Sequence, residues 1–265
     1  MIIKRRQFFS VSAGALISGY SGNICYAEET KHDSTVYFSA GSDLEEKHFF
    51  NGLSVSGNEN FRLTLPSRGH GTALRPNSPE VATFARRPGK YIFVVNTFSG
   101  EKLAQINSID GRHFYGHGVY SPDGLWLYAA ENEYESGRGV IGVYDVSDSY
   151  RLVEALPTHG IGPHEIVLLG DGKTMVVANG GILTHPESER QKLNLSEMDS
   201  SLAYIEIDSG KLLSNHRLAP ELQLMSIRHL DVGLEDNIVL VMQYQGPRRH
   251  LLPLVGFQKG SSAIE

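Results

Sequence analysis

The chain has 265 residues, of which 40% are hydrophobic and 20% are charged, a balance typical of globular domains rather than of disordered or membrane-spanning chains. Its formal net charge of −6 argues against nucleic acid or an anionic membrane as a partner. The 28 glycines, 12 tyrosines and 11 phenylalanines favour a fold of strands and turns over one of long helices.

The N-terminus (residues 1–27) reads as an export signal rather than as part of the fold. It has a basic start, a stretch of apolar and small residues, and a small-residue cleavage site after Ala27. The pair Arg5-Arg6 resembles a twin-arginine signal. An uncleaved anchor is the alternative, but the apolar stretch is short and interrupted by glycines. We therefore expect a periplasmic protein that comprises residues 28–265, with no stable membrane insertion after cleavage.

Cleavage would change both the charge and the available chemistry. It removes three of the 24 basic residues and none of the 30 acidic ones, so 21 basic residues face 30 acidic residues and the net charge becomes −9. The only cysteine, Cys25, leaves with the signal. The exported chain then has no disulfide, no cysteine-ligated zinc and no thiol chemistry.

The rest of the chain repeats one pattern of short β-rich runs joined by turn residues. Units begin near Val36, His70, His117, His164 and His229. Within them, turns are predicted at "RPG", "FSG", "PDG", "GDG" and "DSG" between runs such as GHGVYSP and LWLYAAEN. Recurring four-stranded units predict an all-β fold, a β-propeller of four-stranded blades, with about five blades present.

Histidines mark the period of this repeat. The first two intervals, His70 to His117 and His117 to His164, are both 47 residues, and the third, to His229, is 65 residues. The longer interval contains a polar insertion, residues 181–200, which could form a lid over the channel or a plain surface loop. Because the first strand of each blade lines the central channel, the four histidines are expected to converge in space.

A cluster of four histidines could hold one metal ion. Neutral imidazole suits iron, copper and zinc, and Glu165 and Asp231 are expected neighbours. His113 and His159, in loops at the same mouth, are possible further ligands, as is Glu165 itself. The alternative is that each histidine hydrogen-bonds the backbone of a neighbouring blade.

Other chemistry is weakly indicated. Three arginines could form an anion-binding or partner-binding rim, because guanidinium matches carboxylates bidentately: Arg112, Arg190 and Arg228. The alternative, which we favour, is that they pair with carboxylates of neighbouring blades. The glycine motifs lack the spacing of phosphate-binding loops, and no nucleophile elbow is present. No catalytic residue or organic cofactor is predicted.

Long motifs of the chain resemble an uncharacterised family of exported bacterial proteins. These motifs include RGHGTAL, FARRPG, GRHFYGHGVYSPDG, HGIGPHE and SIRHL. The resemblance implies a seven-bladed propeller of the YVTN/WD40-like type, a twin-arginine signal, and genes beside imelysin-type proteins of iron uptake. Members continue for about two more blades, so the resemblance also implies that this chain is truncated at its C-terminus or that its ring closes differently.

Three functions follow as hypotheses. The first, which we favour over an enzyme, is a periplasmic binding or accessory protein for iron or another transition metal, with periplasmic iron-uptake proteins as partners. The second is a lactonase-like or other hydrolase that uses a channel metal, typically calcium held by oxygen ligands. The third is a protein-interaction platform without a ligand.

Overall fold

The computed structural model describes residues 34–188, 191–247, 252–260 and 262–265, and the predicted export signal lies outside them. Within these ranges the chain is all-β, with short 3-10 helices at Pro186–Ser188, Leu195–Glu197, Pro220–Leu222 and Leu234–Asp236. None of the helices in the described ranges has the length and apolarity to cross a bilayer.

The described strands form five antiparallel sheets in chain order. The first has three strands: β1 (Thr35–Ser42), β2 (His48–Ser54) and β3 (Glu59–Leu65). The second has four: β4 (Gly69–Leu74), β5 (Glu80–Ala85), β6 (Tyr91–Asn96) and β7 (Lys102–Asn107). The third has four: β8 (Arg112–Tyr120), β9 (Trp126–Glu133), β10 (Arg138–Asp145) and β11 (Arg151–Pro157).

The remaining two sheets complete the series. The fourth contains β12 (Pro163–Leu168), β13 (Thr174–Asn179), β14 (Ser201–Glu206) and β15 (Lys211–Arg217). The fifth contains β16 (Met225–Val232), β17 (Ile238–Tyr244) and β18 (Val255–Gln258). In every sheet neighbouring strands are consecutive in sequence, which is the up-and-down order of a propeller blade. The predicted fold is thus confirmed, except that the first and fifth blades have three strands among the described residues instead of four.

The turns between strands form where Asp and Gly were predicted to place them. Between β8 and β9, the Asp123 carboxylate accepts hydrogen bonds from the Leu125 backbone N–H (3.0 Å) and the Ser121 hydroxyl (2.5 Å). Gly124 follows with a φ of 71°, a value that L-residues other than glycine rarely adopt. Between β12 and β13, Asp171 accepts from the N–H groups of Lys173 and Thr174, both at 2.8 Å. These local bonds fix which residues can pair across each hairpin.

Blades pack face to face through apolar layers. Between the second and third blades, Phe84, Ile92, Phe114 and Leu127 are all fully buried in one cluster. Equivalent clusters lie between the first and second, third and fourth, and fourth and fifth blades. Stacking of twisted sheets in this way places β4, β8, β12 and β16 side by side at the inner edge, where neighbouring first strands contact each other.

The predicted insertion lies between the second and third strands of the fourth blade. Asn194 ties its two ends together, because its side chain accepts from the Leu183 N–H (2.7 Å) and donates to the Gly181 carbonyl (2.9 Å). Ile182 and Met198 are 1% and 2% exposed. The insertion is thus anchored to the blade at both ends of the loop rather than being a polar loop throughout.

Candidate metal centre

Each inner strand from the second to the fifth blade carries one of the four predicted histidines. His70 lies in β4, His117 in β8, His164 in β12 and His229 in β16. In all four strands the pairing with the next strand is irregular at or beside the histidine. The register shifts between Gly69 and Thr72, between Phe114 and Gly118, between Pro163 and Glu165, and between Ile227 and His229.

These irregularities explain how the side chains reach the centre. Regular strands direct alternate side chains onto the two faces of a sheet, where they pack against neighbouring blades. A β-bulge adds an unpaired residue, bends the strand and re-aims the side chain. His70, His117 and His164 each lie inside such a bulge, while His229 follows directly after its bulged residue, Arg228.

Glycines in the two GHG motifs allow β4 and β8 to approach closely at this point. A Cβ at Gly116 would lie 2.6 Å from Cδ2 of His70, and Gly116 has a φ of 109°. A Cβ at Gly71 would lie 2.5 Å from the Gly116 carbonyl oxygen and 3.0 Å from Nδ1 of His117. Any larger residue at either position would therefore push the two imidazoles apart.

The four imidazoles form one cluster, as the repeat predicted. Ring centroids are 4.7 Å apart for His70 and His117, 5.3 Å for His117 and His164, and 4.8 Å for His164 and His229. Each ring has one nitrogen that lies within 4.8 Å of a nitrogen of each of the other three rings, so that these four nitrogens form a single group. Histidines separated by up to 159 residues in the chain are therefore neighbours.

Glu165 holds two of these rings from outside the cluster. Its Oε1 lies 3.3 Å from Nδ1 of His117, and its Oε2 lies 3.1 Å from Nδ1 of His229. Oε2 also accepts a hydrogen bond of 2.9 Å from the backbone N–H of Leu230. A carboxylate that accepts from Nδ1–H fixes the tautomer in which the lone pair is on Nε2. Glu165, which the sequence suggested as an additional ligand, thus has both oxygens occupied in orienting histidines.

Two nitrogens in the cluster are buried without a hydrogen-bond partner. They are Nε2 of His117, whose side chain is 13% exposed, and Nδ1 of His164. Leaving a buried polar atom unpaired costs roughly 1–3 kcal/mol, and native structures rarely tolerate it without a ligand, a water or a functional reason. The alternative in which each histidine bonds a neighbouring blade's backbone does not describe these two atoms.

The electrostatic environment favours neutral imidazole. Burial, reinforced by nearby His117 and His229, lowers the pKa of His70 to about 3. Burial and the neighbouring His117 and Arg228 lower the pKa of His164 as well. Burial alone would raise the pKa of Glu165, but its hydrogen bonds to His117 and His229 outweigh that effect and lower the pKa to about 2. At neutral pH the lone pairs of His70 and His164 are therefore available, beside an ionised carboxylate.

The arrangement can bind a cation through nitrogen atoms. Metal–nitrogen bonds of about 2.0–2.1 Å put opposite ligands of one ion about 4 Å apart. The four nitrogens of the cluster lie within 4.8 Å of one another, so small rotations of the rings would bring all four to bonding distance from one ion. His229 is the most accessible of the four, since 46% of its side chain is exposed.

The two other histidines predicted as possible ligands, and Asp231, predicted as a neighbour, are not brought into this cluster. His113 lies in β8, not in a loop, and is 1% exposed; its Nδ1 pairs with the Phe114 carbonyl (3.0 Å) and its Nε2 with the Asn132 amide (3.3 Å). His159 does lie in a loop, but its Nε2 is bonded to the Gly210 carbonyl at 3.1 Å. Asp231 is exposed, and its Oδ1 accepts from the N–H of Val232. These side chains have other partners because regular strand geometry, or a different loop, directs them away from the inner edge.

The three predicted rim arginines have different surroundings. Arg112 pairs with Glu133 (2.7 Å) and lies 3.8 Å from the fully buried Glu131, both on the adjacent strand of its own blade. Arg190 lies outside the described residues. Arg228 lines a cavity of about 360 Å³ that borders the histidine cluster. Arg112 is not among the residues that line this cavity, and its carboxylate partners belong to its own blade rather than, as the alternative predicted, to a neighbouring blade.

Two further arginines at this cavity, Arg86 and Arg87, were missed by sequence reasoning. They belong to the FARRPG motif, in which the sequence predicts only a turn after a strand. Nothing in their spacing links them to Arg228, which lies three blades away in sequence. Their adjacency to the histidines depends on the blades being arranged around a centre.

Comparison with known proteins supports the fold and gives a family. Among solved structures, hydrazine synthase from Kuenenia stuttgartiensis is similar, with a TM-score of 0.61, 16% identity, and 89% of this chain covered. The match covers 66% of that protein, just under two thirds of its length. At 16% identity, the similarity is informative about the fold alone. No curated protein sequence matches the chain significantly. A family described as "Protein of unknown function (DUF1513)" matches residues 63–265, more than half of the chain, which contain all four clustered histidines; the chain therefore belongs to this family.

Proposed function

We propose that this propeller binds one transition-metal ion through His70, His117, His164 and His229, and acts as a metal-binding or accessory protein. The observation that carries the proposal is the convergence of four imidazoles, one from each of four successive blades, with nitrogens within 4.8 Å of one another. Four bulges, close-packed glycines and a bracing carboxylate all contribute to this one arrangement.

The donor set favours a first-row transition metal over calcium. Calcium takes six to eight oxygen ligands, whereas imidazole suits iron, nickel, copper and zinc. Glu165, the carboxylate at the cluster, is engaged with two histidines and a backbone N–H. The calcium-dependent hydrolase is accordingly the weaker hypothesis.

A platform without any ligand would leave the cluster unexplained. Two of the four rings have a buried nitrogen without a hydrogen-bond partner, which lowers the stability of the folded chain. A cation bound by the lone pairs of those nitrogens would remove that cost. This stability argument, independent of any fold likeness, favours a metal over no ligand.

Export and partnership complete the proposal. The twin-arginine pathway delivers folded proteins, which suits a metal loaded before export into the periplasm. Iron is included among the candidate ions because of the resemblance to exported proteins encoded beside imelysin-type proteins, and a periplasmic iron-uptake protein is the proposed partner.

Metal retention tests the proposal directly. The full chain is purified, stripped with a chelator, reloaded separately with Fe²⁺, Cu²⁺, Zn²⁺ or Ca²⁺, dialysed, and analysed by mass spectrometry for metal content. We expect about one equivalent of a transition metal and no calcium. The double variant His117→Ala/His164→Ala is expected to retain less than a tenth of that metal.

The matched control is His48→Ala. His48 lies in the first blade, where its ring bonds the Ser42 hydroxyl at 2.7 Å, and it is not part of the cluster. The control should retain the same amount of metal as the unaltered chain. Full retention by the double variant, or loss from the control alone, contradicts the proposed site, and retention of calcium alone would support the hydrolase instead.

A further inference from the structure

The cavity beside the histidine cluster has the character of a second, anionic subsite. It has a volume of about 360 Å³, within the usual range for pockets that hold small molecules. It extends between the second and fifth blades and is bounded on one side by three of the clustered imidazoles. The side chains that decide its chemistry are His70, His164, His229, Arg86, Arg87 and Arg228.

The charge of this cavity is opposite to that of the chain. Three guanidinium groups line it and, among the described residues, no Asp or Glu does, while the whole chain has a net charge of −6. Guanidinium is weakly hydrated and presents paired N–H donors, which match the two oxygens of a carboxylate. Concentrating such groups in one concave site favours an anionic ligand.

One of the three arginines is held rigidly by its neighbours. Arg87 donates a hydrogen bond of 2.9 Å to the Tyr115 hydroxyl oxygen, and its guanidinium carbon lies 5.1 Å from the centre of that ring. The Tyr115 hydroxyl in turn donates to the Ile182 carbonyl (3.3 Å) in the insertion. Preorganised donors bind an anion at a smaller entropic cost than flexible surface arginines do.

We propose that the cavity binds a small anion with two or more carboxylate groups, one of which ligates the histidine-bound metal while another pairs with the arginines. This inference rests on the proposed function, because it assigns the ligand that shares the metal. Four imidazoles leave two positions free on a six-coordinate ion, and carboxylate oxygen is a common ligand of first-row metals. The protein would then recognise a metal–carboxylate chelate rather than the bare ion.

The geometry favours a polycarboxylate over a single oxyanion. Arg86 and Arg87 follow β5 of the second blade, and Arg228 lies in β16 of the fifth, so the cationic groups flank the cavity from two blades. One phosphate or sulfate has only one charged centre, whereas an anion with separate carboxylates can reach the metal and the arginines together. Inorganic phosphate is therefore the competing ligand in the test.

The test measures binding of radiolabelled citrate by anaerobic equilibrium dialysis to the Fe²⁺-loaded chain and to the metal-free chain, because Fe²⁺ accepts six ligands whereas zinc prefers four. Arg86→Gln and Arg228→Gln each remove one guanidinium from a different blade. Arg217→Gln is the matched control, because Arg217 is 59% exposed and pairs with Asp199 on the outside of the fourth blade. Iron content and circular dichroism are measured for every variant, so that a misfolded protein is recognised.

We expect citrate to bind the Fe²⁺-loaded chain at least tenfold more tightly than the metal-free chain. Each cavity variant should weaken citrate binding at least tenfold with iron content unchanged, and the control should bind citrate as the unaltered chain does. Equal citrate binding by the cavity variants, or phosphate binding as tight as that of citrate, overturns the inference and leaves the metal proposal standing. Failure of the unaltered chain to retain any metal instead overturns the proposed function, and is read from the metal content alone.

Discussion

Two histidines of the same strand, His113 and His117, have opposite environments four residues apart. His113 lies where β8 pairs regularly with β9; it is 1% exposed, and both ring nitrogens have partners. His117 lies within the bulge of β8, with Nδ1 toward Glu165 and Nε2 buried without a partner. His113 is a core histidine with both ring nitrogens hydrogen-bonded, whereas His117 has the environment expected of a metal ligand. The comparison indicates that the unpaired nitrogen, rather than burial or residue type, distinguishes the proposed metal ligand from the core histidine.

The largest effect is expected from adding a side chain in the bulge of β8, at the point where β4 approaches it closely. Gly116→Ala should destabilise the metal-free chain by about 2–4 kcal/mol, because it combines a left-handed φ with a 2.6 Å contact to His70. Gly111→Ala is the control: Gly111 also has a positive φ, 78°, but open space around its Cβ position. Its cost should be about 1 kcal/mol. Urea denaturation measures both, and equal losses would refute the close approach of β4 and β8.

The next effect separates the two histidines themselves. His113→Ala should lower the free energy of unfolding of the metal-free chain by about 2–3 kcal/mol, since it leaves a cavity and unpairs the buried amide of Asn132. His117→Ala removes the unpaired Nε2 together with the Nδ1 contact to Glu165, so its cost should be smaller, about 1 kcal/mol. Metal affinity should show the reverse order, with loss only in the His117 variant. The account is contradicted if one histidine dominates both measurements.

Removing the Glu165 carboxylate should weaken metal binding without removing a metal ligand. Glu165→Gln replaces a charged acceptor of two Nδ1–H groups with a neutral amide, and substitutions of such partners typically cost 10–100-fold in metal affinity. Titration against a competing chelator measures the change. Glu133→Gln, at a carboxylate that pairs with Arg112 and Arg138 instead, should leave the affinity unaltered. An unchanged affinity in the Glu165 variant would argue against an orienting role.

The smallest predicted effect is a pH dependence that belongs to the structural histidine. Burial lowers the pKa of His113 to about 4, although its bond to the Phe114 carbonyl opposes that shift and Lys90, Arg87 and His185 reinforce it. Below pH 6.5 the unfolded chain takes up a proton that the folded chain refuses until about pH 4. Stability present above pH 6.5 is therefore lost as the pH falls through this window.

His113→Gln removes this titrating group and should reduce the loss of stability between pH 7.5 and pH 5 by about 1–2 kcal/mol. Urea denaturation of both metal-free chains at the two pH values provides the measurement. His159→Gln serves as the comparison, because that histidine lies in a loop and bonds a single carbonyl. An identical pH response with and without His113 would show that it titrates normally in the folded state.

The sequence predicted those features that are encoded locally or periodically. Turn residues such as Asp123-Gly124 and Asp171 bond their own neighbours, so their structure depends on few other residues. The 47-residue interval between histidines reflects the blade period, and any closed or curved stack of blades brings equivalent positions together. Fold class and the four clustered histidines could therefore be anticipated from one chain.

The sequence could not predict features that depend on contacts between blades. The bulges that direct His70 and His164 inward have no distinct residue signature beyond glycine and proline nearby. The role of Glu165 depends on His229, 64 residues further on, lying beside it. Arg86 and Arg228 line one cavity only because the second and fifth blades both border it. Spacing along the chain carries no information on such pairs.

The most direct test of the central claim is anomalous X-ray scattering at the zinc absorption edge from crystals of the zinc-loaded chain. The account predicts one peak inside the cluster, about 2.0–2.1 Å from a nitrogen of each of His70, His117, His164 and His229. The absence of a peak there, or a peak held by other residues, would contradict it.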